Sequence, residues 1–262
     1  SDLRSVAMQL AFALLVSVLT ILDSAHSTDY CNPDLCRHGT NIACNNDGQF
    51  SSSCINPRMV ELTDAEKEAL VNTHNIKRNI VAGGNTMLKP ACRMATMEWD
   101  DELASMAEFN VKRCEIENDD CRNTDTFRHS GQNIAWMNFY GTPNITNMAE
   151  RAMDLWFNEI MDTDQAIIDK YPRHYSGNVI GHFTVMMADR NIRVGCASII
   201  YRQEGDDFDG FLLACNYATT NVVNFRIYKS CSEPAVECET GKNPDFPNLC
   251  STSESYDLNK FV

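Results

Sequence analysis

Twelve cysteines, from Cys31 to Cys250, constrain this chain more than any other feature of its sequence. An even number in a chain bound for an oxidising compartment implies a disulfide framework of up to six bridges, leaving no free catalytic thiol. They fall as Cys31, Cys36, Cys44 and Cys54, then Cys92, Cys114 and Cys121, then Cys196 and Cys215, then Cys231, Cys238 and Cys250. None forms a Cys-x-x-Cys knuckle, which argues against a zinc finger. Export is written ahead of them. The apolar run Leu10 to Leu22, broken only by Ser17 and Thr20, is too short for a comfortable membrane span, and Ala25-x-Ser27 offers the small residues of a cleavage site. Residues 1–27 therefore read as a signal peptide, with Thr28 first in the secreted chain. Met8 reads as the initiator and residues 1–7 as upstream translated sequence.

After cleavage about 235 residues remain, enough for one sizeable core or two small ones. The formal net charge is −14. Asp2, Asp23 and Arg4 leave with residues 1–27, so the remainder carries about −13. With no run of Lys and Arg along the chain and no basic-aromatic stripe, such a surface repels phosphate backbones and anionic lipid, so nucleic acid is excluded as a partner.

Four cysteines among Asn, Gly and Ser mark residues 28–60 as an irregular, crosslinked head, and residues 229–262 as a similar tail, on either side of a main domain over 61–228. Thr63-x-x-Glu66 is a capping box, followed by Ala69, Leu70, Thr73, Ile76 and Ile80 at helical spacing until Gly83-Gly84. A second helix begins near Asp100, with Leu103, Met106, Ala107 and Val111 on one face, and ends near Cys114. A third runs from about Asn147 to Asp162, its stripe made of Met148, Ala152, Leu155, Trp156 and Ile160, and a shorter piece covers about 164–170. Beyond Gly181 the texture reads as strands: His182 to Met187 alternates, Arg193 to Tyr201 is β-branched, and Gly210 to Tyr217 is apolar. The last two form a hairpin across the acidic loop Glu204 to Asp209. Helices first and antiparallel strands afterwards predict an α+β domain.

Periodicity singles out Glu159, three residues after Trp156 and four after Leu155, on the apolar stripe. A carboxylate buried there needs a partner or a ligand; at the rim it would simply accept a surface hydrogen bond. Both readings stay open. His129, in Arg128-His129-Ser130-Gly131-Gln132-Asn133, and His182, between Gly181 and Phe183, are each more often structural than ligating, although two His and one Glu are a sufficient set for zinc or copper with an open position. Met148, Met153 and Met161 of the third helix either line an adaptable apolar groove or fill the core. No nucleophile elbow, H-E-x-x-H or phosphate loop is present. Asn144-Ile145-Thr146 is a glycosylation sequon ahead of the third helix.

Seven motifs together resemble the CAP superfamily of cysteine-rich secretory, antigen 5 and pathogenesis-related type 1 proteins. They are His74-Asn75-x-x-Arg78, Met97-Glu98-Trp99-Asp100, Gly131-Gln132-Asn133-Ile134, Trp156-x-x-Glu159, Gly181-His182-Phe183-Thr184, Val194-Gly195-Cys196 and Cys215-Asn216-Tyr217. The head, with Cys31-x4-Cys36 and Cys44-Asn45-Asn46, is similar to dipteran antigen 5 proteins, salivary ones included. The resemblance implies a three-layer αβα sandwich, and a cleft built from His129, Gln132, Glu159 and His182. Gln132 stands where the family usually has Glu, which removes a carboxylate from any acid-base or metal chemistry. It implies the pairs Cys31 with Cys44, Cys36 with Cys121, Cys54 with Cys114, and Cys196 with Cys215. Cys238 with Cys250 is a local assignment, leaving Cys92 and Cys231 as the sixth pair. The resemblance further implies a secreted, non-enzymatic effector, delivered in saliva, that needs no cofactor and binds a host plasma or immune protein, or a small hydrophobic mediator or lipid. Two alternatives stand beside it: a copper or zinc redox protein working through His129 and His182, like a superoxide dismutase, and an allergen-like protein of fly gut or fat body. The integrin-blocking Arg-Gly-Asp of some relatives is absent, the head loop reading Cys36-Arg37-His38-Gly39-Thr40.

Overall fold

The β-rich C-terminal half supplies the centre of the molecule. In the computed structural model, which describes residues 28–261, strands β4 (Arg193–Arg202) and β5 (Gly210–Tyr217) pair antiparallel. Cys196 lies directly opposite Cys215, and the two form a disulfide. The export segment 1–27 lies outside the described residues.

Around the hairpin the sheet order is β1-β4-β5-β3, where β1 is Ile55–Val60 and β3 is Gly131–Asn138; a two-residue β2 (Glu98–Trp99) runs parallel to β4. Every residue of β5 is buried, because both faces of the sheet are covered and strand alternation is lost. On one face lies α2 (Asp101–Val111), whose Ala107 and Val111 pack on Ile199, Leu212 and Ala214. The opposite face carries α1 (Asp64–Ala82), α3 (Ile145–Asn158), the short α4 (Gln165–Asp169) and α5 (Gly181–Met187), packed on Val194, Phe211, Leu213 and Tyr217. The result is an α+β, three-layer αβα sandwich. Gly195 sets the spacing of one layer: a Cβ there would lie 2.2 Å from Ala104 N and 2.3 Å from Asp100 O, so only glycine lets β4 approach the start of α2.

Three local expectations are overturned. The segment His182–Met187, read as a strand, is helix α5; Phe183 to Met187 are all buried, and a short apolar run enclosed on every side carries no period to distinguish helix from strand. In α1 the capping box forms as expected, but Ile76 and Ile80 are exposed and the buried face carries Leu70, His74, Asn75, Arg78 and Val81. Polar residues win that face because each is tied down. Arg78 donates to Ala95 O (2.8 Å), Met186 O (2.6 Å) and Ala188 O (2.9 Å), Asn75 exchanges hydrogen bonds with the backbone of Met97, and His74 bridges Leu70 O and Tyr217 Oη. In α3, Leu155 turns outward while Met148, Ala149, Ala152, Met153 and Trp156 face the core. Met148 and Met153 are thus core residues and Met161 is exposed, so the three line no common groove.

The six bridges are Cys31–Cys44, Cys36–Cys121, Cys54–Cys114, Cys92–Cys231, Cys196–Cys215 and Cys238–Cys250. Two of them tie the head to the loop after α2, and Cys92–Cys231 ties the tail to the segment after α1. The last six residues of the head are less irregular than their composition suggests: as β1 they form the sheet edge against β4.

Candidate functional site

Helix α3 ends where its apolar stripe runs into Glu159, and the chain tightens there into a 3₁₀ turn over Glu159–Asp162. The carboxylate is mostly buried and both oxygens are used. Oε1 lies 2.5 Å from His182 Nδ1, and Oε2 accepts the Phe183 N–H at 2.9 Å. That second contact explains the position of α5. Ile180, its N-cap, gives no side-chain hydrogen bond, so a carboxylate from α3 satisfies a first-turn N–H and sits favourably against the helix dipole.

His182 stacks on Trp156, whose Nε1 donates to Ile134 O on the free edge of β3 at 3.1 Å. Around the His182–Glu159 pair, Ile134, Ala135, Trp136, Leu155 and Val179 wall an open cleft of about 260 Å³. Leu155 and Val179 stand at its mouth, 56% and 64% exposed. The cleft therefore offers one imidazole edge, one occupied carboxylate and an apolar rim.

Gln132 does not join that pair. It is buried in a separate network, where Nε2 donates to Asp119 Oδ2 (2.7 Å) and Asn216 Oδ1 (3.0 Å), while Oε1 accepts Asp119 N (3.2 Å) and the amide of Asn110 (3.4 Å). All four of its amide positions are matched. Asp119 is balanced by Arg122 at 2.8 Å, and Asn118 donates to Gln132 O at 3.1 Å, closing the edge of β3. A carboxylate at position 132 would lose both donations and face Asp119.

His129 lies elsewhere again. It lines a pocket between head and core with Arg37, His38 and Arg128, and its ring meets Phe261 edge-on at 4.8 Å. Partial burial lowers its pKa, and the charges of Arg37 and Arg190 lower it further. The expected four-residue cleft is thus divided among three places. Among the described residues the ligand atoms of His129, Glu159 and His182 do not gather within metal-binding reach of one another, and the one group of three that does, Cys92, Cys231 and Glu237, has its sulfurs in a disulfide. The three-ligand zinc or copper site that His129, Glu159 and His182 would make is therefore not assembled among the described residues.

Asn110, Asn118 and Asp119 escaped the sequence reading. Asn110 did carry the sign that exposed Glu159, a polar residue on an apolar stripe, four after Met106; Asn118 and Asp119 sit in an irregular loop with no period to betray them.

A sandwich of these layers, stapled by six bridges and bearing a His/Glu pair at the end of α3, defines a class. The chain belongs to the CAP, or cysteine-rich secretory protein, family, whose pattern matches residues 71–217. Within the family it is antigen 5-like. It is similar to Venom allergen-1 of Aedes albopictus, with 40% identity over 244 residues covering 92% of this chain and 94% of that protein. The Antigen 5 like allergen Cul n 1 of Culicoides nubeculosus is 36% identical, covering 74% and 92%. The same fold is found in the crystal structure of NaASP2 with Zn2+ (TM-score 0.60, 24% identity, 72% of this chain and 97% of that one). It is also found in the hookworm platelet inhibitor (TM-score 0.53, 20% identity, 74% and 93%).

Proposed function

We propose that this protein is a secreted, non-enzymatic effector of the antigen 5 type, delivered in saliva, that binds a host plasma or immune protein through the cleft beside His182. The observation that carries the reading is that both Glu159 oxygens are engaged within the protein, as are all four amide positions of Gln132 in its separate network. Groups so engaged hold loops and helices in place and are poorly disposed to move protons or take up a metal. What the cleft presents outward is an apolar rim, Leu155 and Val179, on a scaffold crosslinked on either side of the sheet. That suits a preorganised contact surface, in which little side-chain entropy is lost on binding. The hookworm platelet inhibitor shares this fold.

A small apolar ligand has a second place to go. Leu62, Ala69, Leu70, Ile145, Ala149 and Met153 line a gap between α1 and α3, but its volume of about 10 Å³ holds no more than about one water. Lipid entry there requires the helices to part, so the protein partner is the reading preferred. Asn144 is exposed, and its Oδ1 caps α3 by accepting Asn147 N at 3.0 Å, leaving Nδ2 for a glycan.

Pull-down of host plasma proteins, paired with native mass spectrometry for bound lipid, tests the proposal. The wild type should retain a specific plasma protein, and the Leu155→Glu/Val179→Glu variant should lose it by at least about tenfold in affinity, since burying an unpaired charge at a rim costs more than about 1.4 kcal/mol. Metal-dependent turnover without any retained partner would overturn it.

A further inference from the structure

The sequence holds no run of Lys and Arg, yet the fold assembles one. Arg190, just beyond α5, Arg226, after β5, and Lys260, in the tail, meet with Arg93 and Lys229 around a cleft of about 380 Å³ that Phe225 and Tyr256 also line. Two of these cations are already neutralised: Arg93 by Glu254 (2.5 Å) and Glu239 (3.5 Å), and Lys229 by Glu237.

The others are not. Arg190 is held by the tail, donating to Asp257 O at 3.1 Å and to Lys260 O and lying 4.3 Å over the Phe261 ring, while its nearest carboxylate, Asp189, is 4.0 Å away. Arg226 and Lys260 make no side-chain hydrogen bond or ion pair among the described residues. Of the cleft's acids, Asp189 accepts the Lys229 N–H at 3.2 Å, and Asp257 accepts the Asn259 N–H at 3.3 Å. Burial is the main influence disfavouring the charged form of Arg190; Asp189 favours that form, Arg226 opposes it and Asp257 favours it. Asp189 and Asp257 offset part of the charge, and Arg226 and Lys260 stay exposed beside them, where an incoming anion can reach both. The chain's many other acids offset that charge little, because screening confines each charge to roughly 8 Å at physiological salt.

We propose that this seam between the C-terminal tail and the core binds an organic anion carrying phosphate or sulfate esters. Arg226, Lys260 and Arg190 take the oxyanion, since guanidinium forks match its geometry. Phe225 and Tyr256 face the rest of the molecule, and the volume lies within the range of small-ligand sites. The seam shares no lining residue with the His182 cleft, so this site stands whether or not that cleft binds a protein.

Isothermal titration of the full secreted chain at low and physiological salt, with adenosine monophosphate and with a fully sulfated disaccharide as separate probes, tests the site. At least one probe should bind with 1:1 stoichiometry and more weakly as salt rises. Arg226→Gln/Lys260→Gln should lose about tenfold or more in affinity with an unchanged melting temperature. The nucleotide alone would identify a small phosphate ester, and the disaccharide alone a sulfated glycan. If the double variant does not fold, the single Arg226→Gln change should still weaken binding. Binding by neither probe at low salt, or equal binding by the variants and the wild type, would overturn the proposal.

Discussion

Gln132 shows how one atom decides what a position can do. Its Nε2 is the donor that joins Asp119 to Asn216, and a glutamate has no such donor to give. Gln132→Glu should therefore destabilise the protein by about 1–3 kcal/mol at neutral pH, through one unsatisfied buried acceptor and a second carboxylate beside Asp119. Urea denaturation checks this, and the deficit should shrink below pH 5 as a carboxyl takes up a proton and donates again. An unchanged midpoint would show that the network tolerates the charge. The apolar stripe marked Glu159 but left open whether it was buried or at the rim; its partners His182 and Phe183 N–H show the buried alternative. The family resemblance put His129 in the same cleft, whereas its side chain lines a separate pocket against the tail. Here Ser130 is fixed by Asn123 Oδ1 and by Arg122, and His129 ends against the tail.

Among the elements, the caps were legible and the buried faces less so. Thr63-x-x-Glu66 and Asp100 mark helix starts by chemistry that operates within four residues. The inward face of α1 is set instead by carbonyls of distant loops that Arg78 and Asn75 satisfy, and no helical period in α1 records them. Helix α5 depends on α3 in the same way. Glu159→Ala should remove its borrowed cap and the partner of His182, at a cost of about 1–2 kcal/mol. Hydrogen exchange should then accelerate at Phe183 and its neighbours in 181–187 while the β4–β5 amides remain protected. Unchanged exchange at Phe183 would mean that Glu159 does not hold this helix.

At the scale of the whole molecule, the cysteines and the ordered motifs made the sandwich readable. The basic seam was not, because its cations lie far apart in the chain and meet only when the tail closes on the core. That closure has a pH dependence. Glu254 is pushed up by burial, but hydrogen bonds from Thr240, from the Glu239 and Thr240 N–H groups and from Arg93 outweigh this and hold it at about 2, against 4.5 when unfolded. Its contribution is complete above pH 4.5 and is lost as pH falls toward 2. His74 is buried and held down to about 4 from 6.5, so the unfolded chain takes up its proton first, and stability falls as pH drops from 6.5 toward 4, by about 3 kcal/mol in all. Thermal melting across pH 3–8 should show a plateau near neutrality and a decline beginning near pH 6.5, steeper in the wild type than in His74→Gln. A flat profile from pH 7 to 4 would contradict it.

The two histidines line separate pockets, and no metal is expected to bridge them. Zinc and copper titrations of the wild type, His129→Ala and His182→Ala, followed by native mass spectrometry, test it most directly. His129→Ala should behave as the wild type does toward either metal. A single tight site present in the wild type and abolished by either substitution would contradict it.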